Sequence, residues 1–470
     1  MWPRRLAVRC GVRDRTAHAN ARSAPPCASE PVHMHKRPMA TREGAADAYT
    51  SSVLPTHLFV ICHGYMGFSG NVAVLAETIR KRCGPQVLVF VPTCFAVFNS
   101  ADGIDVIARR VISAVQPIVA AHPSLTMLSL VGYSMGGLVC RYVAGSVMTE
   151  QPPFFGLTPV NYMTVACPHT GVRLLGDTSA GAHFLRALAR CAGGRSAVQM
   201  LLTDHSTQLL ALMCHPKSVF VRALGAFEHR VAYGCTRCDR TVPFWSSLFM
   251  PWEAGRPQEA PLLARGHEVH IDEHRYPHIF WEATLTPPAA LAAKSEAGAT
   301  AAATVGGDVS NAKVSAAAVV PSSDELSCMQ LAALAVAAMT VLLPLVLPLV
   351  LTVIFPLLML GRLASSLRKP VAPPIETELL TLDDGTRWSP SLLDREVEEG
   401  AASCPQEYMA SQLNGALVWH KVAVRFSVAL DGLKALHTHG HIVVRRHLGN
   451  AIGLDVLDHL VDGTRGRDRI

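Results

Sequence analysis

The chain has few charged and few aromatic side chains for its length. Charged residues make up 17% of the 470 positions, aromatic residues make up 6%, and the formal net charge is +6. No basic run with interleaved aromatic residues occurs, so nothing in the sequence indicates a nucleic-acid partner. Half of the residues are hydrophobic, so the chain can instead bury a sizeable core.

The chain also lacks the features of a secreted, disulfide-stapled protein. Its basic N-terminal residues have no apolar stretch of the kind found in a secretory signal, although their Arg and Ser content loosely resembles a mitochondrial transit peptide. The 13 cysteines are an odd number without regular spacing, which predicts reduced thiols in a cytosol-facing protein. Cys235-Thr-Arg-Cys238 is a lone CxxC without partners at metal-ligand spacing, and nothing indicates a metal or an organic cofactor.

The segment Gly132-Tyr133-Ser134-Met135-Gly136 carries the strongest chemical signal in the chain. It follows the apolar run Leu125–Val131 and precedes the helix-like segment Gly137–Ala144. A strand, a tight Gly-x-Ser-x-Gly turn and a helix are typical of a nucleophile elbow, in which a serine hydroxyl stands above the end of a sheet. The pentapeptide alone is common, but its context makes Ser134 a candidate nucleophile.

Short apolar runs alternate with helical patterns through the first half of the chain. Besides the strand before Ser134, strands are predicted at His57–Cys62, Val87–Val91, Tyr162–Ala166 and Arg230–Tyr233, and helices at Asn71–Arg82 and Asp102–Ala121. This alternation predicts an α/β fold with a doubly wound, mostly parallel sheet. In such sheets the sites lie at the carboxyl ends of the strands.

Composition divides the chain into five parts. The predicted parts are a disordered basic tail (1–50), an α/β core (51–283), a low-complexity linker (284–325), an apolar membrane-associating segment (326–369) and a C-terminal part of the core (370–470). The linker is predicted because Ala, Gly, Ser, Thr and Pro dominate it and cannot bury a core.

The run Leu331–Leu360 contains no charged residue and is long enough to span a bilayer. Pro344, Pro348 and Pro356 interrupt it, and each proline breaks or kinks a helix. Two arrangements are therefore open: a kinked transmembrane helix, or a hairpin that enters one leaflet and returns. The hairpin is preferred because catalytic residues before and after the run must meet on one side of the membrane.

A serine nucleophile needs an adjacent base and a carboxylate that orients the base. In α/β-hydrolases these groups follow the serine in the order acid, then histidine. Asp239, shortly after the strand ending near Tyr233, is the preferred acid, and Asp204 is its alternative. Residue order does not choose between two clusters of candidate bases, which are His267, His270, His274 and His278, and, near the far end, His437, His439, His441, His447 and His459.

The oxyanion hole requires backbone N–H groups beside the serine. Met135 directly follows Ser134 and supplies the first candidate donor. Tyr65, with Gly64 next to it, follows the first predicted strand and supplies the second. His63, in the same loop, is expected to brace the loop rather than to catalyse.

Together these motifs resemble the lipase-like serine esterases of the DUF676 family. The matching segments are His63–Gly67, Asp102–Asp105, Leu130–Tyr142, Ala166–Gly171, Asp239–Phe244, Trp419–Val424 and His439–Val444. The resemblance covers about residues 55–250 and 405–462. It implies an α/β-hydrolase fold with Ser134 as nucleophile, Asp239 as acid and His439 as base, and His441 as the alternative base.

The chain departs from the family pattern in two places. The interval between Asp239 and His439 is enlarged by the linker and the apolar run, and Ala423 stands where the family has an acidic residue.

The resemblance implies a membrane-associated hydrolase of lipid carboxylic esters, of the phospholipase or acylglycerol lipase type. The alternatives are an acyl thioesterase with the same triad and a catalytically silent membrane tether. The expected partners are a lipid ester and a membrane or lipid-droplet surface reached through Leu331–Leu360. The expected location is a cytosol-facing endomembrane or lipid droplet, with the mitochondrion as an alternative, and the sequence does not indicate an oligomeric state.

Overall fold

An eight-stranded sheet forms the centre of the fold. The computed structural model describes residues 53–172, 193–236, 239, 241–250, 269–270, 274–287, 356, 360, 375–400, 402, 404–426, 437–445 and 453–465. The strands are β1 (His57–Cys62), β2 (Val87–Phe90), β3 (Met127–Tyr133), β4 (Thr158–Val165), β5 (His229–Cys235), β6 (Val269–His270), β7 (Ile279–Leu285) and β8 (Trp419–Val424). Their order across the sheet is β2-β1-β3-β4-β5-β8-β7-β6.

The first six strands in this order, β2, β1, β3, β4, β5 and β8, run parallel to one another. Strand β7 pairs antiparallel with β8, and β6 pairs antiparallel with β7. The register aligns the carboxyl ends of the parallel strands. Tyr133 of β3 lies opposite Val165 of β4, which in turn lies opposite Tyr233 of β5. The residues that follow these strands therefore meet at one edge of the sheet, where an open α/β sheet places its site.

Helices cover both faces of the sheet. They are α1 (Ala73–Cys83), α2 (Ile104–Ala121), α3 (Met135–Thr149), α4 (Leu209–Cys214), α5 (Val219–Ala226), α6 (Phe244–Ser247), α7 (Pro390–Glu399), α8 (Pro405–Ala416), α9 (Thr438–His441) and α10 (Leu454–Arg465). Residues 193–200 are also helical.

Two hydrophobic cores follow from this arrangement. In β1, Leu58 and Val60 belong to the core under α2 and α3, whereas Phe59 and Ile61 belong to the core under α1 and α10. All of these side chains are buried, because successive residues of a strand point to opposite faces and both faces are covered. The predicted doubly wound, mostly parallel sheet is confirmed.

The predicted helix at Asp102–Ala121 is observed as α2, which begins two residues later. Its apolar stripe, which includes Ile104, Ile107, Val111 and Val115, is buried against the sheet, as the 3.6-residue period requires.

The C-terminal part of the chain completes the same sheet. Strand β8 lies between β5 and β7, so residues far apart in sequence become neighbours. Strand β7 extends to Leu285, which is two residues past the predicted end of the first core segment, and Leu285 is buried. The sequence pattern did not predict β6, β7 or β8 as strands.

The predicted tail at 1–50 lies outside the described residues, and so does nearly all of the linker and of the run Leu331–Leu360, of which only Pro356 and Leu360 are described. Of the helices that the structure describes, none combines the length and the apolar character needed to cross a bilayer.

Candidate active site

Ser134 occupies a sharp turn between β3 and α3. Its backbone has φ 54° and ψ −131°, a conformation that a non-glycine residue adopts only where the surrounding structure holds it. Two glycines make the turn possible. A Cβ on Gly132 would lie 2.2 Å from Cα of Gly137, and a Cβ on Gly136 would lie 2.1 Å from the carbonyl oxygen of Cys62. The Gly-x-Ser-x-Gly pattern therefore reflects close backbone packing on both sides of the serine.

The loop after β1 lies directly against Ser134. A Cβ on Gly64 would lie 2.8 Å from Cβ and 3.2 Å from Oγ of Ser134, so the backbone at Gly64 borders the hydroxyl. On the other side, Met135 is the first residue of α3, where backbone N–H groups have no partner within the helix. Tyr65 follows Gly64, and its side-chain hydroxyl donates to the carbonyl oxygen of Gly193 at 2.8 Å. The three predicted oxyanion residues thus lie around or next to Ser134.

An imidazole from the far end of the chain reaches the elbow. Nε2 of His439 lies 3.0 Å from Oγ of Ser134, and Nδ1 of His439 lies 2.8 Å from Oδ2 of Asp239. A carboxylate can only accept a hydrogen bond, so Nδ1 carries the proton and Nε2 is left to accept the serine proton. The side chain of His439 is 15% exposed.

The carboxylate of Asp239 is held on its other side by the backbone. Oδ1 accepts hydrogen bonds from the N–H groups of Thr241 (2.8 Å) and Val242 (2.9 Å). The side chain is only 2% exposed. These bonds orient the carboxylate and leave Oδ2 facing the imidazole.

The alternative acid, Asp204, and the alternative base, His441, make other contacts. Oδ2 of Asp204 accepts a 2.8 Å hydrogen bond from the N–H of Leu209, the first residue of α4, and burial raises the pKa of Asp204 to about 6. His441 is buried on α9, with its ring 6.3 Å from the ring of Phe426. The imidazole that lies within hydrogen-bonding distance of the Ser134 hydroxyl and the Asp239 carboxylate is that of His439 rather than that of His441.

His278, which belongs to the first cluster of candidate bases, has its Nδ1 atom 2.6 Å from Oδ1 of Asp455. Asp455 lies on α10, the helix that follows the His439 segment. Burial would raise the pKa of Asp455, but hydrogen bonds from His278 outweigh it and hold the pKa below its ordinary value. Two further carboxylates of α10, Asp458 and Asp462, pair with Arg82 of α1. Contacts between polar side chains therefore join α10 to the residue before β7 and to α1.

His63 is buried in the loop that borders the serine. Nδ1 of His63 donates to the carbonyl oxygen of Gly64 at 3.0 Å, and the ring of Phe95 stacks on the imidazole at 4.0 Å. Burial lowers the pKa of His63 to about 4, so it is neutral at physiological pH. These contacts are those of the bracing role predicted for it.

A series of hydrogen bonds between buried polar side chains of α3 and its neighbours was not predicted. Arg141 of α3 donates to Nδ1 of His169, and Nε2 of His169 lies 2.9 Å from the hydroxyl of Thr164. The backbone N–H of His169 donates to the carbonyl oxygen of Ser246 at 3.2 Å. Ser246 belongs to α6, shortly after Asp239, so these hydrogen bonds join α3, the helix that follows Ser134, to the segment after Asp239.

Lys421 of β8 supports the same segment. Its ammonium group is buried and donates to the carbonyl oxygen of Leu248 (2.7 Å) and to Oδ1 of Asn414 (2.6 Å). Burial holds the pKa of Lys421 well below its ordinary value. The sequence singled out His169 and Lys421 only as parts of motifs and gave no sign that both contact the region after Asp239.

Among the described residues, no group of three or more His, Cys, Asp or Glu side chains is arranged to hold a metal ion. Ser134, His439, Asp239 and the neighbouring backbone offer a hydroxyl, an imidazole, a carboxylate and N–H groups, which is the set needed for acyl transfer.

Comparisons with known proteins agree with that chemistry. The family model described as "Putative serine esterase (DUF676)" matches residues 53–250. A Schizosaccharomyces pombe protein named as a "Putative lipase" is 31% identical over 163 residues, which are 33% of this chain and 20% of the relative. A Saccharomyces cerevisiae protein, also named as a "Putative lipase", is 22% identical over 231 residues, which are 43% of this chain and 33% of the relative. The chain thus spans a third or less of the length of these curated relatives.

Solved structures give only slight likenesses. Phospholipase PlaB from Legionella pneumophila is 15% identical, with 41% of each chain covered and a TM-score of 0.28. A metagenome-derived lipolytic enzyme is 14% identical, with 41% of this chain and 77% of that chain covered and a TM-score of 0.27. Likenesses of this size say nothing about substrate.

Proposed function

We propose that the protein is a serine hydrolase that cleaves carboxylic esters of lipids, in keeping with the match of residues 53–250 to the family model for putative serine esterases. The observation that carries the proposal is the chain of hydrogen bonds from Oγ of Ser134 through the imidazole of His439 to the carboxylate of Asp239. A nucleophile, a base and an orienting acid in this order are the minimum for covalent acyl transfer.

In the proposed reaction, Nε2 of His439 takes the proton of Ser134 as Oγ attacks the ester carbonyl. The carbonyl oxygen becomes an oxyanion, which backbone N–H groups of Met135 and of the Gly64–Tyr65 loop stabilise. The tetrahedral intermediate then expels the alcohol, which takes the proton from His439. Water, deprotonated by His439, attacks the acyl-enzyme, and the second tetrahedral intermediate expels Oγ of Ser134, which takes the proton from His439 as the acid is released. Asp239 holds the imidazole in the required tautomer throughout.

Exposed apolar side chains near the serine support a lipid substrate. Met66 and Phe68 follow Gly64 in the same loop and are 39% and 47% exposed. Val97, also 39% exposed, joins this loop because its N–H donates to the carbonyl oxygen of Gly67 at 2.7 Å. Exposed large apolar side chains in one region of the surface suit contact with acyl chains.

The test is hydrolysis of a panel that contains a phospholipid, an acylglycerol and an acyl thioester, by the wild type and by Ser134→Ala. We expect turnover of an oxygen ester by the wild type and none above background by Ser134→Ala, with the same thermal unfolding midpoint. Turnover of the thioester alone would make the protein a thioesterase. Equal turnover by both proteins, or no labelling of Ser134 by a fluorophosphonate, would contradict the proposal.

We further propose that Leu331–Leu360 holds the protein at a cytosol-facing membrane or lipid-droplet surface. The support is its sequence, 30 uncharged residues rich in Leu and Val. Deleting this run should move the protein from the membrane to the soluble fraction after cell fractionation. Retention on membranes after the deletion would show that another part of the chain is the anchor.

A further inference from the structure

The residue before the nucleophile is bonded to the backbone of the base. Tyr133 is the last residue of β3, and its side chain is fully buried. Its hydroxyl donates a 2.7 Å hydrogen bond to the carbonyl oxygen of His439. The same hydroxyl accepts a 2.8 Å hydrogen bond from Nη2 of Arg445. The ring of Tyr133 lies 5.2 Å from the imidazole of His439, and the guanidinium of Arg445 lies 5.1 Å from the centre of the Tyr133 ring.

His439 needs such support because no strand carries it. It lies on α9, a helix of four residues, 305 positions from Ser134 in sequence. A helix this short is not stable by its own hydrogen bonds, so its position depends on contacts with the rest of the fold. The bonds of the imidazole to Ser134 and Asp239 fix the ring, and the bond from Tyr133 fixes the backbone that bears the ring.

We propose that Tyr133 and Arg445 are positioning residues, which hold the backbone of His439 so that Nε2 stays within hydrogen-bonding distance of Ser134. The inference rests on the proposed function. Because Tyr133 is covalently joined to Ser134, a movement of the end of β3 carries the nucleophile and the base together. The distance between them is then maintained although they lie 305 positions apart in sequence.

The chemistry of the three groups suits this task. Burial raises the pKa of the Tyr133 hydroxyl above its ordinary value, so it remains a donor throughout the working pH range. A guanidinium that donates to the hydroxyl oxygen polarises the O–H bond and strengthens its donation to the carbonyl of His439. The bond goes to the backbone of His439, so it persists whether the imidazole is neutral or protonated.

Tyr133→Phe tests the proposal, with Tyr162→Phe as the matched control. Both tyrosines are fully buried, and each hydroxyl donates to one backbone carbonyl, that of His439 for Tyr133 and that of Gly137 for Tyr162 at 2.8 Å. Both variants should lose a similar amount of stability. With p-nitrophenyl butyrate as the probe, Tyr133→Phe should lower kcat about 10- to 100-fold with KM unchanged, because small displacements of a catalytic group cost that much. Tyr162→Phe should keep the wild-type kcat.

Arg445→Gln provides a second, independent test. Because Arg445 acts through the hydroxyl of Tyr133, Arg445→Gln should lower kcat, and the double variant should match Tyr133→Phe within about 2-fold. Fully multiplicative losses in the double variant would overturn the link between the two residues. A folded Tyr133→Phe with wild-type kcat, or an equal loss of kcat in Tyr162→Phe, would overturn the positioning role.

These outcomes are separate from those that test the proposed function. A wild type that hydrolyses the probe and loses activity in Ser134→Ala supports the function whatever Tyr133→Phe does. An inactive wild type overturns the function and, with it, this inference.

Discussion

Alanine in place of Gly64 should slow acyl transfer because the new methyl group would occupy space beside the nucleophile. Its carbon would lie 2.8 Å from Cβ of Ser134, whereas an ordinary contact begins at 3.4 Å, so the loop and the elbow must separate by about 0.6 Å. A misplacement of about 1 Å can cost about 100-fold in rate, so we expect kcat to fall about 10- to 100-fold. Crowding of this kind also typically costs about 1–3 kcal/mol of stability.

The assay is steady-state hydrolysis of p-nitrophenyl butyrate, normalised to the folded fraction measured by thermal unfolding. Gly415→Ala is the matched control, because a Cβ at Gly415 meets nothing within 4 Å and the residue lies on the helix α8. The control should keep the wild-type kcat and gain up to about 1 kcal/mol of stability from its better helix propensity. A folded Gly64→Ala with wild-type kcat would refute the claim that this loop borders the reacting group.

Four further perturbations follow from the contacts described above. Asp239→Asn removes the charge that orients the imidazole, so kcat should fall by about 10⁴-fold; a folded variant with wild-type kcat would contradict the assignment of the acid. The lowered pKa of Asp455 stabilises the fold above the ordinary Asp pKa of about 4, and that stability is lost as pH falls through the lowered value. Asp455→Asn should therefore flatten the acid side of a plot of unfolding midpoint against pH, and an unchanged plot would be evidence against the pairing. His169→Leu leaves the buried guanidinium of Arg141 with one acceptor fewer and should cost about 1–3 kcal/mol in denaturant unfolding, whereas full stability would show that the bond contributes nothing. Phe68→Ser should lower kcat/KM for a long-chain ester but not for a short-chain ester, and an equal effect on both would argue against contact with the acyl chain.

The sequence predicted the elbow well because its cause is local. The glycines beside Ser134, the apolar strand before it and the helix after it are all within a short segment, and the structure contains each of them. The buried strand β1 could also be predicted from its sequence, since nearly all of its residues are apolar. Local patterns of this kind predict the strands from β1 to β5 and the position of the candidate nucleophile.

Which side chains lie beside Ser134, the candidate nucleophile, depends on how distant parts of the chain come together in the fold. Local sequence patterns do not encode this. Residue order left two clusters of candidate bases, and only the family resemblance singled out His439. The structure brings His439 to Ser134 because β8 inserts beside β5 and returns the C-terminal residues to the edge of the sheet. The contact between Tyr133 and Arg445 spans 312 positions, so no spacing rule could have revealed it.

In the proposed reaction the imidazole of His439, rather than that of its neighbour His441, acts on Ser134. The most direct test is to measure kcat for His439→Ala and His441→Asn with the same ester and the same folded fraction. We expect a loss of about 10⁴-fold in His439→Ala and near wild-type kcat in His441→Asn. Full activity in a folded His439→Ala, or a loss confined to His441→Asn, would contradict it.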